Sequence, residues 1–167
     1  MDRAKLSWSE YAIPLSDIET STHPLLKIKK GFYALLSATL DEEADVWRDI
    51  ALLHIGHTSG QPLRSRIVQP QPAHERAAEL APAGSQVLVM LGEMESSSLG
   101  RDTRDFMQDI ESCLIRSNNP AAHPDPESAI PGREISVLNG ERQGTDYRPL
   151  KWRSLFKFAH IKNLATA

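Results

Sequence analysis

Residues 30–68 read KGFYALLSATLDEEADVWRDIALLHIGHTSGQPLRSRIV, and the fold turns on how this stretch divides. Gly31 to Leu40 is aromatic and aliphatic and follows a short basic run, which predicts a strand. Asp41-Glu42-Glu43-Ala44-Asp45 is too acidic for a core and reads as an exposed loop. Ile50 to Ile55 predicts a second buried strand. Gly56 to Pro62 is rich in turn residues, and Leu63 to Val68 begins a helix that Pro70 and Pro72 halt.

Working outward, His74 to Leu80 predicts another short helix, closed by Pro82 and Gly84. Gln86 to Leu91 is apolar without alternation, as in a strand covered on both faces. Ser96 to Gly100 reads as loop, and Asp102 or Thr103 can cap a helix running to about Ser117. Residues 118–132 carry Pro120, Pro124, Pro126 and Pro131 and read as loop. Glu134 to Leu138 predicts a short strand, Asn139-Gly140 a tight turn, and Leu150 to Ala159 a basic amphipathic helix. Residues 1–30 read as irregular, broken by Pro14 and Pro24. The expectation is an α/β (α+β) fold, a small three-stranded mixed sheet flanked by helices with a C-terminal hairpin and helix extension. The domain would span 30–123, between an N-terminal extension (1–29) and a Pro-rich loop and basic tail (124–167).

Composition bounds the function. With 167 residues, 40% hydrophobic and 25% charged, the chain suits one soluble domain. No apolar run approaches the roughly 20 residues that cross a bilayer, and MDRAKLSWSEYAIP lacks the apolar centre of a secretory signal. Cys113 is the single cysteine, which excludes an intrachain disulfide and a zinc knuckle and makes the cytoplasm the default compartment. Net charge is -3, divided as -7 over residues 1–132 and +4 over 133–167. The basic end is either a phosphate-binding segment or a solvated helix on an acidic domain.

The helix after Asp102 carries a misplaced carboxylate. Asp105, Asp109, Ser112 and Arg116 share a stripe that should face water, while Phe106, Met107, Ile110, Cys113 and Leu114 form the opposite face. Glu111 falls between Met107 and Ile115 at the apolar margin. A carboxylate there needs a cation, a metal or hydrogen bonds; the alternatives are a snorkelling glutamate or one paired with arginine.

Five short segments, read together, resemble the GIY-YIG nuclease family. Lys30-Gly31-Phe32-Tyr33 is similar to its first signature, and His54-Ile55-Gly56 to its second, with histidine where tyrosine is usual. Leu63-Arg64-Ser65-Arg66 resembles its leucine-x-x-arginine, which makes Arg66 the counterpart of the catalytic arginine and Arg64 a neighbouring substitute. Glu111-Ser112-Cys113-Leu114-Ile115 resembles the metal-binding glutamate and its apolar pair, and Pro120 follows Glu111 by nine residues. His123 stands where asparagine is usual, with Asn118 and Asn119 close by.

The resemblance implies a GIY-YIG-like domain and an endonuclease that hydrolyses phosphodiester bonds in DNA (RNA is the alternative) with one divalent cation, Mg2+ or Mn2+. It makes Tyr33, His54, Arg66, Glu111 and His123 the candidate catalytic residues, with Glu111 on the metal. These residue types suit that chemistry. A carboxylate holds a hard ion, and a guanidinium forks onto a phosphate as charge builds. A phenol of pKa about 10 needs help to act as a base, which an imidazole titrating at about 6.5 can give. His54 then either assists Tyr33 or is itself the base, and His123 anchors its loop or touches phosphate. His57 and His74 are expected at the surface, His74 with a secondary phosphate contact as its outside role. Trp8, Trp47 and Trp152 are expected to pack. Arg64, Arg148, Lys151, Arg153 and Lys157 are candidate nucleic-acid contacts, the last four interleaved with Tyr147, Trp152 and Phe156. The competing reading is a catalytically weakened domain of the same kind that binds nucleic acid or a partner protein.

Overall fold

The structure, a computed structural model, describes residues 2–9, 12–98, 104–141 and 148–150. It is of the mixed α/β class. One mixed sheet runs β4-β3-β5-β1-β6-β7, and the two-residue β2 adds to β5. The strands are β1 (Asp2–Trp8), β2 (Ile13–Pro14), β3 (Lys30–Asp41), β4 (Val46–Ser59), β5 (Gln86–Ser97), β6 (Ile135–Glu141) and β7 (Arg148–Leu150). The helices are α1 (Leu63–Val68), α2 (Pro72–Leu80) and α3 (Arg104–Asn118). Pairing is antiparallel except between β1 and β6.

The alternating faces of β3 explain its unbroken apolar sequence. Phe32, Ala34, Leu36 and Ala38 join a core with Leu6, Trp8, Trp47, Ile55, Leu88 and the α3 residues Phe106, Met107, Ile110, Cys113 and Leu114. Tyr33 and Leu35 point the other way, into a core with Leu25, Leu26, Leu53, Leu63, Ile67, Ala77, Val89 and Leu91. The sheet is thus covered by α3 on one face and by α1, α2 and the segment before β3 on the other. Because both faces are dry, the strand has no polar alternation to show. Pro72 opens α2 at a position where a helix has no use for an N–H. Asn119, at φ 52°, ends α3 and donates its N–H to the Ile115 carbonyl at 2.9 Å.

Several expectations are corrected. Residues 2–8, expected to be irregular, form β1 inside the sheet, with Leu6 and Trp8 buried and the Trp8 indole donating to Asn139 Oδ1 at 2.9 Å. The sheet extends beyond the three expected strands because β1 pairs with β5 and recruits β6. Asn139-Gly140 is not a turn: both lie in β6, paired with Leu6 and Ser7. The turn residues of Gly56–Pro62 do not end β4 at Ile55, since pairing with β3 carries it to Ser59. β5 likewise runs to Ser97 through its pairing with β1. Leu150 closes β7 rather than opening a helix, and 151–159 lie outside the described residues.

Asp109 is the clearest reversal. Placed on a water-facing stripe by helical periodicity, it is 8% exposed. Its Oδ1 accepts the Gly132 N–H at 2.7 Å and its Oδ2 accepts Arg133 Nε at 2.5 Å, while Arg133 Nη1 reaches Asp2 Oδ2 at 3.4 Å. The chain following α3 folds back over that stripe. Trp8 and Trp47 are buried, as expected; Trp152 lies outside the described residues. Among the described residues, no helix is long and apolar enough to cross a membrane.

Candidate active site at the sheet edge

The site begins with a glycine. Tyr33 on β3 is paired with Gly56 on β4, the last strand of the sheet on that side. A Cβ at Gly56 would lie 2.5 Å from the Tyr33 hydroxyl oxygen. The phenol therefore lies flat across β4, which only a residue without a side chain permits, and its hydroxyl is carried toward the sheet's rim. The ring is fully buried, and burial pushes its pKa well above the usual value; the Glu111 charge adds to this, while Arg66 and a hydrogen bond from Gln71 oppose it.

Two imidazoles meet the hydroxyl. His74, on the first turns of α2, places Nε2 at 2.7 Å from it, and His54 on β4 places Nε2 at 3.4 Å. The shorter contact takes the single hydroxyl proton. His74 also hydrogen-bonds the Ile67 backbone. With Nε2 on the phenol, the remaining nitrogen donates to that carbonyl, which leaves Nε2 free to accept. Burial, together with the charges of His74, Arg66 and His123, pushes His54 down to about 4. Burial and Arg66 lower His74 as well, partly offset by the Ile67 bond. Both imidazoles are therefore neutral at neutral pH. Arg66, on α1, is the cation that acts on Tyr33, His54 and His74 together. Its carbonyl accepts Gln71 Nε2 at 2.8 Å, so Gln71 ties the α1–α2 corner to the phenol.

The other face of β4 carries a different pair. His57 is paired with Phe32, one residue out of phase with Gly56, so it points toward α3. Its Nδ1 is in direct contact with Glu111 Oε2, and both side chains are mostly buried (13% and 17% exposed). This is the partner that the misplaced carboxylate required. Beyond α3, Ala121 and Ala122 donate to the Leu52 and Leu53 carbonyls of β4 at 3.1 and 2.7 Å. This short ladder brings His123 close enough for its charge to act on His54. His123 Nδ1 accepts the Asp125 N–H at 3.3 Å.

The structure thus brings Tyr33, His54, Arg66, Glu111 and His123 around one edge strand, with Glu111 on the α3 side and the rest on the α1–α2 side. Asn118 is turned back onto the Leu114 carbonyl at 2.8 Å, and Asn119 is a helix terminus. Arg64 points away, donating to the Ser21 carbonyl. Arg148 has its backbone in β7, and Lys151, Arg153 and Lys157 lie outside the described residues. Sequence reasoning missed His57 and Gln71 and left His74 at the surface. Alternation along β4 gave a signal for His57: with His54 on one face, a residue three places on must face the helix bearing Glu111. No pattern marked Gln71. Among the described residues, no group of three or more His, Cys, Asp or Glu is arranged to hold a metal. Comparison with family models, curated proteins and solved structures finds no match for the chain.

Proposed function

We propose that the chain is a divalent-metal-dependent endonuclease of the GIY-YIG kind, hydrolysing phosphodiester bonds in DNA. The observation that supports it is the gathering around the edge strand β4 of a phenol, an imidazole and a guanidinium on one side and a mostly buried carboxylate on the other, drawn from residues 33, 54, 66 and 111. Glu111 would hold Mg2+ or Mn2+ through the carboxylate oxygen that does not face His57. When bound, that ion polarises the phosphate and stabilises the leaving oxygen.

Each side chain has a matching task. Tyr33 hands its proton to His74 Nε2 as it takes one from the attacking water, a relay that a buried phenol of raised pKa requires. His54, neutral and beside the same oxygen, is the alternative acceptor. Arg66 donates to the phosphate as charge builds. His123 keeps Nε2 available for a phosphate oxygen, since Nδ1 is engaged.

The second reading, a weakened domain that binds without cutting, draws on the full burial of Tyr33 and on His57 occupying Glu111. Incubation with plasmid, single-stranded DNA and RNA in Mg2+ or Mn2+ separates the two. Cleavage that falls by about 100-fold in Glu111→Gln, the scale of losing a principal electrostatic contributor, is the expected result. Binding without cleavage in either metal overturns the nuclease reading in favour of the second.

A further inference from the structure

We propose that Tyr33 Oη, His54 Nε2 and His74 Nε2 form a separate site for a borderline transition-metal ion such as Zn2+, whose binding holds the phenol as phenolate and shuts off hydrolysis. The binding half stands on the geometry alone; the shut-off half rests on the nuclease reading.

Both imidazole Nε2 atoms face one oxygen, at 2.7 and 3.4 Å. Donors around a tetrahedral ion with bonds of about 2.0 Å stand about 3.3 Å apart, so one gap already fits and the other opens by about 0.6 Å. The imidazole rings stand edge to face with centroids 5.3 Å apart, a spacing that leaves room for one ion between their Nε2 atoms. His74 donates its other nitrogen to the Ile67 carbonyl, the outer support that fixes a ligating imidazole and aims its lone pair.

Ligand softness separates this site from Glu111. Two imidazoles and a phenolate suit Zn2+ or Cu2+, whereas an isolated carboxylate with water suits Mg2+ or Mn2+. The third donor is a phenol rather than a carboxylate, thiol or imidazole. On binding, the O–H bond of Tyr33 breaks, its proton leaves to solvent, and the oxygen lone pair fills the metal bond; no electron is transferred. Arg66 opposes the incoming dication, and the new phenolate and Glu111 offset it. The result is a moderate affinity suited to inhibition rather than permanent residence. With Oη committed to the metal, the phenol neither takes a proton from water nor passes one to His74.

The test titrates Zn2+ into the full chain at neutral pH, following tyrosinate ultraviolet absorbance and heat of binding, with Co2+ as a visible reporter of geometry. One ion per chain, a tyrosinate band and a tetrahedral Co2+ spectrum are expected. Tyr33→Phe should lose the band, and His54→Gln and His74→Gln should weaken binding on the order of tenfold or more. Glu111→Gln should keep one Zn2+ per chain, the tyrosinate band and the tetrahedral Co2+ spectrum, at a lower affinity because its charge no longer offsets Arg66, while losing Mg2+-supported cleavage, so failure of the nuclease reading and of this one are distinguishable. Zinc binding without tyrosinate, an octahedral Co2+ spectrum, or affinity unchanged in both folded histidine variants overturns the proposal. The first two readouts use the wild type and stand even if a variant fails to fold.

Discussion

Gly56 is where a single atom decides the site. Adding one methyl in Gly56→Ala puts carbon 2.5 Å from Tyr33 Cζ and Oη, and the ring is walled in by Leu53, Leu63 and Ile67 on its own face of the sheet. The phenol must tilt or the β3–β4 pair must part, an overpacking cost of about 1–3 kcal/mol. Melting curves should show that loss, and on the proposed nuclease reading cleavage should fall further; an alanine variant as stable as wild type would show that the phenol does not depend on this approach. His54 makes a prediction about acidity. Folding lowers its pKa to about 4, burial being the main cause. The folded state thus resists a proton that the unfolded chain accepts at about 6.5. Its stabilising contribution is complete above that value and lost as pH falls from about 6.5 to 4, by about 3 kcal/mol in all. Urea unfolding of wild type and His54→Gln across this range should show a shallower acid slope in the variant; parallel slopes would place the acid sensitivity elsewhere. The proximity of Tyr33, His54, Arg66, Glu111 and His123 to one edge strand was legible in sequence because each sits in a short motif. That of His57 and Gln71 was not, since a lone histidine in a turn-like run and a glutamine between prolines look like surface.

At the scale of elements, helical and strand periodicity performed unequally. The bounds of α1 were readable from Leu63 to Val68 because Pro62 and Pro70 bracket them. The stripe on α3 misled at Asp109, since periodicity describes a helix in isolation and says nothing of a later segment laid across it. That segment is anchored by the carboxylate's bonds to Gly132 and Arg133, with the Arg133 guanidinium 5.3 Å from the Phe106 ring centre. Asp109→Ala removes the acceptor of the Gly132 N–H and one of the two carboxylates that hold the Arg133 guanidinium, at a cost of about 1–3 kcal/mol. Asp109→Asn keeps an oxygen for Gly132 and should lose less. Chemical denaturation of the pair ranks them; equal stability of the alanine variant and wild type would mean that this anchor is dispensable. The turn signals at Gly56–Pro62 and Asn139-Gly140 failed for one reason: a neighbouring strand that supplies hydrogen bonds outweighs a residue's local preference.

For the whole molecule, the mixed α/β class was readable, and the extent of the sheet was not. The apolar runs at 31–40, 50–55 and 86–91 announce themselves, whereas DRAKLSW at 2–8 mixes charge and apolar residues in a pattern too short to weigh. Its burial follows from partners lying far along the chain. That separation has a consequence for how the protein is made. β1 is made before either of its partners, and one of them, β6, begins with Ile135, aligned to Asp2. β1 has no partner in this sheet until Gln86–Ser97 has been made and lacks its second until Ile135, so closure of the sheet waits on contacts of long sequence separation. Such long-range pairing forms slowly, and until it does β1 is exposed to mispairing with a neighbouring chain on the same polysome.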